Sequence, residues 1–124
     1  MTFSGKILVI DDEPTMIKLT KDIFETFELT ADFALSAEDA LNLLEYNEYN
    51  LIMLDMKLPN MSGFEFFKQI NSSTPVLVVS GFRKEDVMGK FLYDKNVTFL
   101  QKPFSVQELL KMIEFSTENV AEKN

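Results

Sequence analysis

The chain has 124 residues, 46% of them hydrophobic, which suffices for one domain with a sizeable core. Its formal charge of −8, without a basic stripe or interleaved bases and aromatics, argues against a nucleic-acid surface, and no apolar run approaches the ~20 residues of a membrane helix. The absence of cysteine and histidine excludes disulfides, thiolate chemistry and any Ser-His-Asp triad, and with no signal-peptide pattern at the N-terminus it fits a cytoplasmic protein.

Strand-like and helix-like runs alternate along the chain. Residues 6–11 form an apolar run ending on aspartate, and Pro14 opens a helix that Asp12 or Glu13 can cap. Met16, Ile17, Thr20, Ile23, Phe24 and Phe27 give that helix one apolar face. Residues 29–34 read as a second strand. Ser36, with Asp39 three residues on, starts a second helix that buries Ala37, Ala40, Leu41 and Leu44.

The third strand, residues 51–55, again ends on aspartate, and residues 56–63 are a loop rich in breakers. A short helix over 63–70 directs Phe64, Phe67 and Ile70 one way, which leaves Phe66 the least secure of its packing residues. Pro75 precedes a fourth strand that stops at Ser80-Gly81. Residues 83–95 read as a helix, although Gly89 inside it costs ~1 kcal/mol relative to alanine. Val97–Leu100 is a fifth strand, broken by Lys102-Pro103. Ser105 and Glu108 form a capping box for a last helix with Val106, Leu109, Leu110 and Ile113 on one face, and the polar residues from 118 onward are expected to fray. Five strands in alternation with five helices predict βαβ units, right-handed crossovers and a parallel sheet covered on both faces, in one domain spanning 1–124 with no effector domain attached.

In such a sheet all strand exits lie on one edge, where ligands bind. That edge gathers Asp11 and Asp12 from the first strand, Asp55 from the third, Ser80 from the fourth and Lys102 from just past the fifth. Carboxylates crowded together call for a hard cation such as Mg²⁺. The added hydroxyl and lysine are more than a plain metal site needs, and they suit transfer of a phosphoryl group onto a carboxylate. Taken singly, each residue has a plainer reading: a helix cap for Asp11 or Asp12, a solvated lysine, a turn at Ser80-Gly81. Only their joint occurrence carries the argument.

The ordered set Ile-Leu-Val-Ile-Asp11-Asp12-Glu13-Pro14, Leu-Ile-Met-Leu-Asp55-Met-Lys-Leu-Pro59, Met61-Ser-Gly63, Val-Leu-Val-Val-Ser80-Gly81 and Phe99-Leu-Gln-Lys102-Pro103-Phe104 resembles the receiver domain of two-component response regulators, over nearly the whole chain. The resemblance implies a flavodoxin-like α/β three-layer sandwich with strand order 2-1-3-4-5. It implies that Asp55 is the phosphoacceptor, taking its phosphoryl group from a phosphohistidine on a histidine kinase or phosphotransfer protein, and that the protein catalyses its own phosphorylation and dephosphorylation. Mg²⁺, for which Mn²⁺ can substitute, would be bound by Asp12, Asp55 and the backbone carbonyl of Lys57, with Asp11 reaching it through water. Lys102 would pair with the acceptor and then with a phosphoryl oxygen, Ser80 would bond another, and Phe99 would be the switch aromatic. A cis peptide at Lys102-Pro103 is also implied. The output face would be the fourth helix, fifth strand and fifth helix, serving a separate partner, a homodimer or an onward phosphorelay step.

Some positions depart from the family's usual residues. Phe82 and Lys57 occupy the positions that tune phosphoryl lifetime, and bulky Phe82 is expected to obstruct attacking water while Lys57 can pull the other way. Asn96 stands where glycine is common, and the switch aromatic is Phe rather than Tyr. Three other functions compete. A Mg²⁺-dependent aspartyl-phosphate phosphatase resembling haloacid dehalogenases would need an acid at Lys57. A pseudo-receiver binding module would have no need of the retained site residues. A flavodoxin-like flavin carrier would need a Ser/Thr/Gly-rich phosphate loop after the first strand, which is missing.

Overall fold

The computed structural model describes residues 3–70, 73–91, 94 and 96–123. Strands and helices alternate as β1 (Lys6–Ile10), α1 (Pro14–Thr26), β2 (Thr30–Ala34), α2 (Ala37–Tyr46), β3 (Leu51–Asp55), α3 (Gly63–Gln69), β4 (Val76–Ser80), α4 (Lys84–Met88), a 3₁₀ turn (Gly89–Phe91), β5 (Val97–Gln101) and α5 (Val106–Lys123). The five strands form one sheet in the order β2-β1-β3-β4-β5, and every neighbouring pair is parallel. The fold is the doubly wound α/β sandwich that the alternation predicts.

The central strands β3 and β4 are buried along their whole length, which explains their unbroken apolar runs. The pleat sends alternate residues to opposite faces. Leu8, Ile10, Ile52, Leu54, Val76 and Val78 pack with α2, α3 and α4. Ile7, Val9, Leu51, Met53, Leu77 and Val79 pack with α1 and α5. Every crossover therefore returns an apolar helix stripe to one of two separate cores.

Capping follows the sequence at α2, where the Ser36 hydroxyl accepts the Asp39 N–H at 3.1 Å. At α5 the capping box is reciprocal: Ser105 N–H donates to Glu108 at 2.9 Å, and Glu108 N–H donates to the Ser105 hydroxyl at 3.0 Å. Helix α1 differs. Glu13 is its N-cap residue but its side chain makes no capping bond, and Asp12 does not cap either; the Asp11 carboxylate instead accepts the Glu13 N–H at 3.0 Å. Phe27 closes α1 half-exposed rather than on its buried face.

Two further expectations are corrected. The helix expected over 83–95 spans only Lys84–Met88 and tightens into a 3₁₀ turn at Gly89. The break carries Phe91 into the core, edge-on to Phe64 and Phe67 at ring distances of 5.3 and 4.8 Å. Residues 92, 93 and 95 of that expected helix lie outside the described residues. Phe66 is fully buried and is the largest such side chain, whereas Phe64 and Phe67 are partly exposed against Phe91. Helix α5 runs to Lys123.

The sheet's outer strand β2 carries Asp32, whose carboxylate takes Lys6 Nζ at 2.8 Å and the Tyr49 hydroxyl at 2.6 Å. The hydrogen bond from Lys6, then that from Tyr49, holds the Asp32 carboxyl below its ordinary value; burial and the same bond push the Tyr49 hydroxyl up. A charge engaged on an edge strand also discourages pairing with another chain's strand. No helix among the described residues is long and apolar enough to cross a membrane.

Phe66 anchors α3 against the sheet. Phe66→Ala should lower unfolding stability by about 3–5 kcal/mol through the cavity it leaves. Urea denaturation would show this as a lower midpoint with an unchanged slope.

Candidate functional site at the carboxyl edge of the sheet

Five residues singled out in the sequence meet at one end of the sheet. Asp11 follows the last residue of β1, and its N–H donates to the Ala34 carbonyl at 3.1 Å, which continues the ladder one step past the strand. Asp55 ends β3 and Ser80 ends β4. The Lys102 N–H donates to the Ser80 carbonyl at 2.8 Å, which fixes the lysine backbone beside the exit of β4. The Lys102–Pro103 peptide is cis.

Lys102 Nζ lies 3.1 Å from Asp11 Oδ2, 3.4 Å from Asp55 Oδ2 and 3.6 Å from Glu13 Oε1. Asp11 and Asp55 are buried and Asp12 is exposed, yet one oxygen from each of the three falls within 4.8 Å of the others. That donor set of carboxylate oxygens suits a hard divalent cation and not a soft one. Asp55 Oδ1 also accepts the Lys57 N–H at 3.1 Å.

An open cavity of about 460 Å³ leads down to this cluster, lined by Asp12, Glu13, Asp55, Lys57, Ser80, Gly81, Phe82 and Lys102. Ser80 is buried, and its hydroxyl accepts the Phe82 N–H at 3.1 Å. A serine that accepts a bond keeps its own proton for another partner. Phe82 is 58% exposed and stands at the rim. Phe99 is partly buried against the core on the α2–α4 side and does not line the cavity.

Burial is the leading influence on Asp55 and pushes its carboxyl up, reinforced by the Asp11 charge; the Lys57 N–H and Lys102 act against it without cancelling it. For Lys102, burial works to lower the ammonium, but the Asp55 and Asp11 carboxylates outweigh it and the group is raised. The lysine is therefore a fixed cation, and burial makes the Asp55 charge costly.

The roles of two residues here are not evident from the sequence. Glu13 reads there as a helix cap and as part of the acidic run after the first strand; in the fold it makes no capping bond and lies beside Lys102. In the sequence Gly63 is a turn residue closing the 56–63 loop; in the fold a Cβ there would collide with the Asp55 carbonyl and come within 2.8 Å of Met56 Cα. Its N–H donates to the Met56 carbonyl at 3.0 Å. Glycine thus lets α3 begin directly against the peptide that carries Asp55. The Ser-Gly pair closing a breaker-rich loop was the available signal.

The Asp55 shift has a definite sign. A carboxyl raised in the folded state binds its proton at higher pH than in the unfolded chain, so stability falls as pH rises through the folded value. In metal-free protein, Asp55→Asn should abolish that fall and raise the melting temperature at neutral pH by a few degrees. Thermal denaturation in chelator from about pH 4 to 8 would show the two proteins converging at the acid end.

The sequence matches the response regulator receiver domain family over residues 7–114. It is 30% identical to the response regulator ArlR of Staphylococcus saprophyticus, covering 96% of this chain and 55% of ArlR. It is 31% identical to the transcriptional regulatory protein SpaR of Bacillus subtilis, covering 85% of this chain and 48% of SpaR. The chain thus spans about half the length of these curated relatives. Among solved structures, the receiver domain of the Francisella response regulator 1452 superposes with a TM-score of 0.79 at 26% identity, covering 93% of this chain and 98% of that one. A CheY-like receiver domain protein from Methanospirillum hungatei shares the fold, with a TM-score of 0.84 at 23% identity over 98% of this chain and 100% of that one. With more than half of its length matched, the chain belongs to the response regulator receiver domain family.

Proposed function

We propose that the protein is a signalling phosphoacceptor, taking a phosphoryl group onto Asp55 from a phosphohistidine on a histidine kinase or phosphotransfer protein in the cytoplasm. The observation that carries this is the position of Lys102 Nζ, held between Asp11 and Asp55 with Ser80 on the same cavity wall. A carboxylate oxygen of Asp55 attacks phosphorus in line. A new P–O bond forms, the donor's P–N bond breaks, and its electron pair leaves with the imidazole nitrogen.

The residues fit Mg²⁺. Asp11, Asp12, Asp55 and the Lys57 carbonyl would hold it, and when bound it would neutralise charge on the phosphoryl oxygens. Lys102 supplies a fixed positive charge to one phosphoryl oxygen. The Ser80 hydroxyl, free to donate, turns toward another. Movement of Ser80 is passed to Phe99, which lies two residues along β5 from the Ser80 partner Gln101. The changed surface on α4, β5 and α5 then meets a downstream protein or a second copy, or the phosphoryl group moves on in a relay.

Incubation with Mg²⁺ and acetyl phosphate, followed by intact-mass measurement, tests this reading. One added phosphoryl group is expected, absent in Asp55→Asn and strongly reduced in Lys102→Ala. No adduct with any donor would support a pure binding module. Fast turnover of many phosphate esters would support a phosphatase, although Lys57 stands where such an enzyme needs an acid.

Phe82 at the cavity rim screens the acyl phosphate from water, while Lys57 draws charge toward it. Phe82→Ala should shorten the half-life of phosphorylated Asp55 several-fold. An unchanged or longer half-life, followed by loss of the adduct mass, would overturn this role.

A further inference from the structure

We propose that Glu13 is a positioning residue for Lys102: it holds the lysine ammonium at the cavity mouth in the resting protein and releases it when a phosphoryl group arrives. This rests on the reading of Asp55 as acceptor and adds a residue to it.

An ammonium has three N–H donors and no acceptor. Lys102 faces three carboxylate oxygens, one each from Asp11, Asp55 and Glu13, at 3.1, 3.4 and 3.6 Å. The first two partners are buried at the floor, while the Glu13 side chain is 60% exposed and lines the cavity. Lys102 is therefore drawn from below by two aspartates and from the mouth by Glu13. Asp12 is just as close in sequence and also exposed, yet makes no ion pair with Lys102 among the described residues.

The contact has a rigid base. Glu13 is the N-cap residue of α1, and its N–H is bonded to Asp11 Oδ1 at 3.0 Å, so its backbone is tied to the same aspartate that holds the lysine. Its carboxylate is left over for Lys102 because it makes no capping bond.

The geometry also explains why the contact must be exchangeable. Lys102 can offer a phosphoryl oxygen a strong bond only by loosening its hold on other acceptors. The buried Asp11 pair is the tightest of the three. The Glu13 pair is the longest and the most exposed, and an exposed pair is readily given up. Release of Glu13 therefore frees one donor without disturbing Asp11.

Two substitutions separate the contact from the charge. Glu13→Gln keeps the length and removes the charge; Glu13→Asp keeps the charge but is one methylene too short to reach Nζ. The first measurement is NMR of the lysine side chains in metal-free, unphosphorylated protein, with the Lys102 signal assigned by its loss in Lys102→Arg. Both Glu13 variants should shift that signal, and Glu38→Gln, an exposed acid on α2, should leave it in place. The second is the phosphorylation rate with acetyl phosphate and saturating Mg²⁺. Both variants should react faster by roughly two- to fivefold, the range expected for one exposed ion pair. An unmoved Lys102 signal overturns the proposal whether or not phosphorylation occurs. So does a Glu13→Asp variant that reacts at the wild-type rate, since that would reduce the role of Glu13 to its charge. A wild-type protein that takes up no phosphoryl group would instead overturn the acceptor reading, leaving the NMR result to decide the Glu13–Lys102 contact.

Discussion

One ammonium group decides how Asp11 and Asp55 can share the carboxyl edge of this sheet. Both carboxylates are buried, and like charges at such separations repel strongly once water is excluded. Lys102 Nζ lies within 3.4 Å of both and is itself mostly buried, so the attraction operates where screening is weak. The balance is incomplete, because Asp55 remains pushed toward its neutral form chiefly by burial. The cluster is thus poised to accept further positive charge, whether it comes from a cation or from a lysine brought closer.

The fold supplies the precision that this balance requires. The three strands that end in Asp55, Ser80 and Gln101 are in continuous parallel register, Asp55 opposite Val79 and Ser80 opposite Gln101. The next backbone bond, from Lys102 to the Ser80 carbonyl, extends that register to the lysine. A side chain of four methylenes is flexible, but its starting point is fixed by the same ladder that places its partners. The two cores on opposite faces of the sheet hold this edge from both sides, with α1 and α5 below one face and α2, α3 and α4 below the other.

Much of this was legible in the sequence because it depends on period and punctuation. Apolar runs ending on Asp11, Asp55 and Ser80 announced buried parallel strands and their exits, and Ser36 and Ser105 announced helix starts. What could not be read depended on contacts between distant segments. The helical pattern after Arg83 gives no sign that Phe91 will be drawn between Phe64 and Phe67, and that packing outweighs the local preference to continue past Gly89. Likewise Phe64, Phe66 and Phe67 are chemically alike in the sequence, and only the position of α3 on the sheet selects Phe66 for complete burial. At the site, the residue types are visible, but the pairing of Lys102 with Glu13 rather than Asp12 is a contact between distant segments that no local pattern announces.

Helix α3 is fixed at both ends of its short length. Its first residue, Gly63, abuts the Asp55–Met56 peptide, and its aromatic side chains clasp Phe91 beyond the end of α4. The segment before it has little slack, since Met61 N–H is bonded to the Pro59 carbonyl at 2.7 Å and Gly63 N–H to the Met56 carbonyl at 3.0 Å. Loop length is therefore restricted where surface loops are usually free to vary. An added residue between Met56 and Gly63 would have to bulge outward around Lys57 and Pro59, where side chains are exposed, because the return to Met56 admits no shift. The tolerance of this protein to insertion thus ends within a few residues of Asp55, on the side where the chain looks most like an ordinary loop.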